Sequence, residues 1–280
     1  MKSTCEIRYA SHPDDVKKYD TQKLREHFLV EKLFSENEVK LVYSMVDRMV
    51  AGGAMPAGEK LELVPAPIFR SESFTSRREM GIVNVGGPGK VTVNDKVYGL
   101  EFKEALYIGK GEKKIFFESD DKTNPAKFYI NSVPAHAAYP DKLISRKDSI
   151  VVELGTQNEC NRRILNKLIV SETVQTCQLQ LGLTELQPGS VWNTMPAHTH
   201  ERRMEVYFYF EVPEGQAVCH YMGKPDETRH IWLKSEQAVI SPVWSIHSAC
   251  ATSNYSFIWG MGGENSDYSD MHPAPTPQLR

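Results

Sequence analysis

Apolar positions along this chain recur mostly with a period of two, in short runs. "MGIVNVGG", "KVTVNDKVYGL", "EALYIG", "KIFFES", "KFYINSVPA", "QLQLGLTEL", "MEVYFYFEV" and "YSFIWGMGG" are rich in β-branched and aromatic residues. Gly, Pro, Asn or Asp punctuates these runs, so they predict strands ended by turns. Strands at this spacing predict a mainly β chain built as sandwiches or barrels. Helical periodicity is confined to the stretch from Asp20 to Phe34. There a cap at Asp20 or Thr21 precedes an apolar stripe of Leu24, Phe28 and Leu29.

The pattern echoes itself. Arg77-Arg78-Glu79-Met80 leads into "GIVNVGG", and Arg202-Arg203-Met204-Glu205 leads into "VYFYFEV". A Gly-containing turn, a strand pair and a further apolar strand follow in each half. This predicts two β lobes, residues 1–150 and 151–280, joined in the polar stretch between Tyr139 and Asn166. Gly86-Gly87-Pro88-Gly89 reads as a hairpin turn; no Lys-Ser/Thr follows it, and a strand rather than a helix comes next, so it is not a phosphate loop. The tail "HPAPTPQLR" is Pro-rich and reads as extended over the surface or a neighbouring subunit.

Charge narrows the function classes. The 280 residues carry 33 basic and 36 acidic side chains, a formal net charge of -3. That length can bury a large core, and the balance offers no basic stripe for nucleic acid or an anionic membrane. No apolar run reaches the length of a membrane span, and the first twenty residues lack the apolar stretch of a secretory signal. Five cysteines, odd in number and without a C-x-x-C pair, read as reduced thiols. Cytoplasmic residence is the expectation.

Candidate chemistry lies in "PAHTHERRMEVYFYF" and "AVISPVWSIHSA". His198 and His200, two residues apart, project from one side of a strand. Glu205 opens a strand whose Glu205, Tyr207 and Tyr209 share one face and whose Val206, Phe208 and Phe210 share the other. His247 ends the run "PVWSI" in apolar surroundings, where a buried imidazole needs a partner. Three imidazoles and a carboxylate suit zinc, manganese, iron or nickel. The first half has no H-x-H and no histidine at the counterpart of His247, so metal is expected in the second lobe alone. Trp192, Trp244, Phe257 and Trp259 read as core residues, and His136, His220 and His230 as structural or exposed.

H-T-H-x-x-x-x-E followed by P-x-W-x-x-H resembles the two cupin motifs. The chain departs from them in having Gly189 nine residues before His198, Trp244 in place of a Gly, and Ala251 in place of an Asn. A longer resemblance runs through "FLVEK", "RREMGIVNVGG", "ALYIGKG", "PAHAAYP", "CQLQLGLTELQPGSVWNTMPAHTHERRMEVYFYF", "AVISPVWSIHS" and "FIWGMGGEN". These are similar to the 5-keto-4-deoxyuronate isomerase family (4-deoxy-L-threo-5-hexosulose-uronate ketol-isomerases). The resemblance implies a two-lobed cupin-type (bicupin) subunit with few short helices. It implies one Zn2+ per subunit on His198, His200, Glu205 and His247, and a homohexamer. The implied reaction, in pectin and uronate breakdown, turns the acyclic deoxy-keto-uronate into 3-deoxy-D-glycero-2,5-hexodiulosonate. It needs a proton taken from C2 and one returned at C1, or a hydride moved between them.

Such a substrate carries a carboxylate, which an arginine fork suits. Arg202 and Arg203 are the first candidates, followed by Arg162, Arg163 and Arg229. Glu264, Tyr207 or a metal-bound hydroxide are the candidates for moving the proton. Three other readings stand beside this one: the 5-deoxy-glucuronate isomerase of inositol breakdown, an iron-dependent oxygenase, and a sugar-binding bicupin without catalysis.

Overall fold

The computed structural model describes residues 2–264 and 270–280. The alternating runs pair as strands, and the fold is mainly β and cupin-type. No helix among the described residues is long and apolar enough to cross a membrane. The chain forms two compact units. One is Met1–Arg8, Lys32–Ser149 and Leu168–Gln180; the other is Tyr9–Glu31, Ile150–Lys167 and Leu181–Arg280. This differs from a single cut at residue 150 because two segments follow their hydrogen bonds. The Glu79 carboxylate accepts the backbone N–H groups of Cys177, Gln178 and Leu179, each at 2.8 Å, which ties that segment to the first unit. Arg25 donates to the Trp232 carbonyl, and Leu29–Val30 pairs with Gln237–Ser241, which ties residues 9–31 to the second.

In the first unit a seven-stranded sheet runs in the order Lys2–Arg8, Glu38–Ser44, Val50–Met55, Phe128–Pro134, Arg78–Asn84, Ala105–Ile108, Lys142–Ile144. A four-stranded sheet runs Leu61–Glu62, Ile115–Ser119, Gly89–Val93, Lys96–Leu100. Leu41, Val50, Ile82 and Ile130 from the larger sheet pack on Val91, Tyr98 and Phe117 from the smaller. Gly86 to Gly89 is therefore not a hairpin turn; it carries the chain from one sheet to the other. Its glycines are needed for close approach, since a Cβ on Gly87 would sit 2.0 Å from the Asn124 carbonyl oxygen. The hairpin falls one strand later, at Asn94-Asp95, where Asn94 takes a φ of 53°.

The second unit repeats this order. Its larger sheet runs Ile150–Leu154, Arg163–Ile169, Gln180–Leu186, Ser256–Gly263, Arg203–Phe210, Gln237–Ser241, Leu29–Val30. Its smaller sheet runs Trp192–Asn193, Ser248–Ala251, Val218–Lys224, Glu227–Leu233. The expected helix is shorter than its periodicity. Asp20 caps it by accepting the Lys23 N–H at 2.8 Å, and it spans Thr21–Phe28. Leu29 and Val30 leave it because the sheet edge offers them Val239 and Ala238 as partners. The tail is also more ordered than a Pro-rich composition suggests. His272–Ala274 pairs antiparallel with Ala197–Thr199, and Leu279 packs beside Tyr221 against Ala197, Ile246 and Ala274.

Strand register explains why no such set of candidate ligands forms among the described residues of the first unit. Arg78 faces Pro134 as Arg203 faces Gly263, so Met80 stands where the second unit has Glu205. Counting back the same steps puts Ser73 and Thr75 in place of His198 and His200. Their hydroxyls donate to the Lys113 and Gly111 carbonyls, each at 2.8 Å, and Met80 is fully buried.

Candidate metal centre

Three strands and one turn of the second unit bring the four predicted ligands together. His198 lies on Ala197–Thr199, with His200 just beyond it. Glu205 is the third residue of Arg203–Phe210, and its alternation with Tyr207 points both into a concave cavity. His247 precedes Ser248–Ala251, held by a tight turn in which Ser245 donates to the Ile246 carbonyl at 2.7 Å. The His198 and His247 Nε2 atoms are 3.0 Å apart. Glu205 Oε1 is 3.0 Å from His200 Nε2, and Oε2 is 3.4 Å from His247 Nε2. His200, Glu205 and His247 are buried, and His198 is partly so.

These contacts fit a cation better than they fit one another. The His200 Nδ1–H donates to the Asp270 carbonyl, which leaves a lone pair on Nε2. That lone pair faces a carboxylate oxygen, and neither His200 Nε2 nor Glu205 Oε2 has a hydrogen bond among the described residues. Two acceptors at 3.0 Å need a positive centre between them. Arms of about 2.0–2.1 Å around a tetrahedral ion put neighbouring ligand atoms about 3.3 Å apart, close to these three separations, and the three imidazoles each offer a nitrogen within 4.8 Å of the others.

Electrostatics prepares the same state. Burial lowers His198 to about 4 and presses His247 well below the ordinary imidazole range. Burial pushes the Glu205 carboxyl up, but His247 and the His200 contact outweigh it and hold it down at about 2. Near neutral pH the His198 and His247 imidazoles are therefore neutral, ready to ligate without first losing protons. Beneath them His220 is lowered by burial to about 3, and its Nδ1 meets the Tyr209 hydroxyl at 2.7 Å, which is the structural role expected of it.

The cavity encloses about 470 Å³, within the range of small-molecule sites. His198, His200 and Glu205 line it together with Tyr207, Thr194, Arg163, Lys167 and Arg203. The rest of the wall is largely apolar, including Val152, Leu165, Phe257, Trp259 and Met261. Tyr207 sits edge-on to the His247 ring, with centroids 5.2 Å apart, and its hydroxyl is 3.1 Å from Thr194 Oγ1. Thr194 is β-branched yet holds a φ of 48°, a strained conformation that turns its hydroxyl toward Tyr207.

The other predicted site residues divide sharply. Arg163 and Arg203 reach the cavity, whereas Arg162 is exposed and faces Glu153 at 3.6 Å. Arg202 is exposed and pairs with Glu264 at 3.3 Å, so the base candidate Glu264 lies outside the cavity wall as well. Arg229 pairs with Glu227 at 2.7 Å. Phe257 and Trp259 are buried, as expected of core residues, and also line the cavity. Lys167 and Thr194 are cavity residues that sequence reasoning missed. The signal for Lys167 was present in "RILNKLI", whose alternate residues 163, 165 and 167 share one face.

Comparison with known proteins agrees with this geometry. The model of the KduI/IolB family matches residues 28–277. The 4-deoxy-L-threo-5-hexosulose-uronate ketol-isomerase 1 of Bacteroides thetaiotaomicron is 59% identical over 271 residues, 97% of each chain. The 4-deoxy-L-threo-5-hexosulose-uronate ketol-isomerase of Bacteroides fragilis is 60% identical over the same length, again 97% of each. Among solved structures, an IolB-like protein from Salmonella typhimurium LT2 superposes with a TM-score of 0.67 at 16% identity, covering 80% of this chain and 87% of that one. That likeness shows the fold.

Proposed function

This chain belongs to the KduI/IolB family and is a ketol-isomerase, and on that premise we propose that it converts 5-dehydro-4-deoxy-D-glucuronate to 3-deoxy-D-glycero-2,5-hexodiulosonate with one zinc ion per subunit. The observation that carries the proposal is the meeting of His198, His200, Glu205 and His247 at the wall of a cavity of small-molecule size. Identity of 59–60% to ketol-isomerases over 97% of the chain supports the substrate class.

A zinc ion on these ligands would supply Lewis acidity to the two oxygens of an α-hydroxy aldehyde. The chain's own residues do the rest. His200 is kept in the ligating tautomer by the Asp270 carbonyl. In this proposal the Tyr207 hydroxyl, 3.1 Å from Thr194 Oγ1 on the cavity wall, carries the proton between C2 and C1. Phe257, Trp259 and Met261 exclude water around the carbon chain, so a developing oxyanion is stabilised by fixed charges rather than by bulk solvent. Cations on the wall meet the substrate's acid group. The homohexamer and a cytoplasmic setting complete the proposal.

The test gives purified, zinc-loaded protein the keto-uronate and, in parallel, 5-deoxy-glucuronate, and follows aldehyde loss. Turnover of the first with metal bound one to one is expected. Glu205→Gln should lose metal and drop turnover by at least ~100-fold, as removal of one partner in a buried charged set implies. Unchanged keto-uronate beside fully metallated protein would overturn the assignment, and preferential turnover of the second substrate would move it within the family.

A further inference from the structure

Two of the candidate ligands adjoin a small apolar cluster. Ala197 precedes His198, Ile246 precedes His247, and both side chains are buried together with Ala274. Side chains alternate along Ala197–Thr199, so Ala197 faces away from the cavity that His198 lines. Leu279 and Tyr221 pack against the cluster. Tyr221 is fixed on its own account. Its ring stacks on Trp192 with centroids 6.0 Å apart, and its hydroxyl meets Cys250 Sγ at 3.1 Å.

The two ligands are secured unequally. The Ile246 N–H donates to the Gly223 carbonyl at 2.9 Å, and the Gly223 N–H donates to Ser245 Oγ at 2.9 Å. The turn before His247 is thus bonded to the neighbouring strand. His198 has less behind it. Among the described residues its strand pairs only with His272–Ala274, in a sheet of two strands. Pro273, opposite His198, has no N–H to donate. So short a ladder is a weak hold, and it is reinforced farther along the chain. The 3-10 turn Thr276–Gln278 brings Leu279 against the cluster. The Arg280 N–H donates to the Pro225 carbonyl at 3.0 Å, and the Arg280 main-chain oxygen accepts the Thr228 N–H at 2.7 Å and the Thr228 hydroxyl at 2.6 Å.

We propose that Leu279 is a positioning residue of the metal centre: it wedges the Ala197–Thr199 strand against Ile246 and so sets His198 Nε2 beside His247 Nε2, 3.0 Å away. This rests on the metal reading above. The physical reason is volume. Ala197 and Ala274 are small, so a large side chain from outside the ladder must fill the space between the strand and the turn, and Leu279 supplies it. Truncating Leu279 leaves a gap. Tyr221, held by ring and hydroxyl, does not swing into it, so the weakly held strand yields instead. His198 moves with that strand and grips an ion less well. Pro273, Pro275 and Pro277 preset φ along the way, so little chain entropy is lost in placing Leu279.

The experiment uses the full-length protein loaded with zinc, or with cobalt in its place, and Leu279→Ala, Leu279→Val and Leu279→Met. Asp20→Ala is the control, since it removes a helix cap in the same unit without touching the cluster. Three quantities are read: metal affinity in competition with a chelator, the visible bands of the cobalt form, and the melting temperature. Leu279→Ala should hold metal about 10- to 100-fold more weakly, the loss typical when a group supporting a ligand is removed. Its cobalt bands should shift, and saturating metal should restore most of its kcat. Leu279→Val should change the same readouts by less, and it decides the case if the alanine variant does not fold. Leu279→Met keeps the volume and should stay near wild type. Wild-type affinity and wild-type cobalt bands in the truncated variants would overturn the proposal. An equal loss of affinity in Asp20→Ala would overturn it too, because metal loss would then merely follow stability. A wild-type chain that takes up no metal would instead overturn the metal reading itself.

Discussion

His220 shows what one buried imidazole does to the molecule. Burial holds it down to about 3 in the folded chain, against about 6.5 when unfolded. Below pH 6.5 the unfolded chain takes up a proton that the native one refuses. Stability therefore falls as pH drops from 6.5 toward 3, by about 1.4 kcal/mol per pH unit for this group. His220→Phe should be less stable than wild type at pH 7, because Tyr209 loses its partner, and the gap should narrow at pH 5. Urea midpoints across that range check it, and parallel curves would refute it. Residues of this kind differ in how readable they were. That His198, His200, Glu205 and His247 come together was legible because H-x-H, a nearby carboxylate and a distant histidine form an unusual set. Arg202 and Glu264 misled because proximity in sequence to the ligands says nothing about side; the pair lies outside the cavity, bonded together.

Elements record where tertiary pairing overrode local preference. The helix start was legible in Asp20, and removing that cap by Asp20→Ala should cost about 1 kcal/mol, read from the same urea midpoints. Its end was not legible, since Leu29 and Val30 continue the apolar stripe and only the exposed edge of Gln237–Ser241 tells them to extend. The Gly86–Gly89 stretch was misread for a similar reason: turn residues announce a change of direction, not which sheet comes next. The Gln180–Leu186 strand carries a sharper constraint. A Cβ on Gly182 would lie 2.1 Å from the Trp259 ring, so Gly182→Ala must push the indole into the cavity. Overpacking of this kind costs about 1–3 kcal/mol. A lower melting temperature together with a raised KM is expected, and Trp fluorescence should report the displaced ring.

At the scale of the whole molecule, one strand order is used twice and furnished differently. The repeat was legible in the paired Arg-Arg motifs, and so was the absence from the first half of an H-x-H and of a histidine at the counterpart of His247. The exchange of residues 9–31 and 168–180 between units was not, because it depends on hydrogen bonds such as those to Glu79 that leave no periodic trace. Chelation should therefore act unevenly. Hydrogen exchange should quicken in Ala197–Thr199 and Ser248–Ala251 when metal is withdrawn, while Arg78–Asn84, built on Met80, Ser73 and Thr75, keeps its protection. Uniform loosening of both halves would contradict this division. The prop behind His200 carries a different lesson, because it is a main-chain oxygen that all twenty amino acids possess. Point substitution at position 270 cannot delete it. Only rerouting the polypeptide would carry that oxygen away, so backbone path rather than residue identity guards the orientation of the His200 ring.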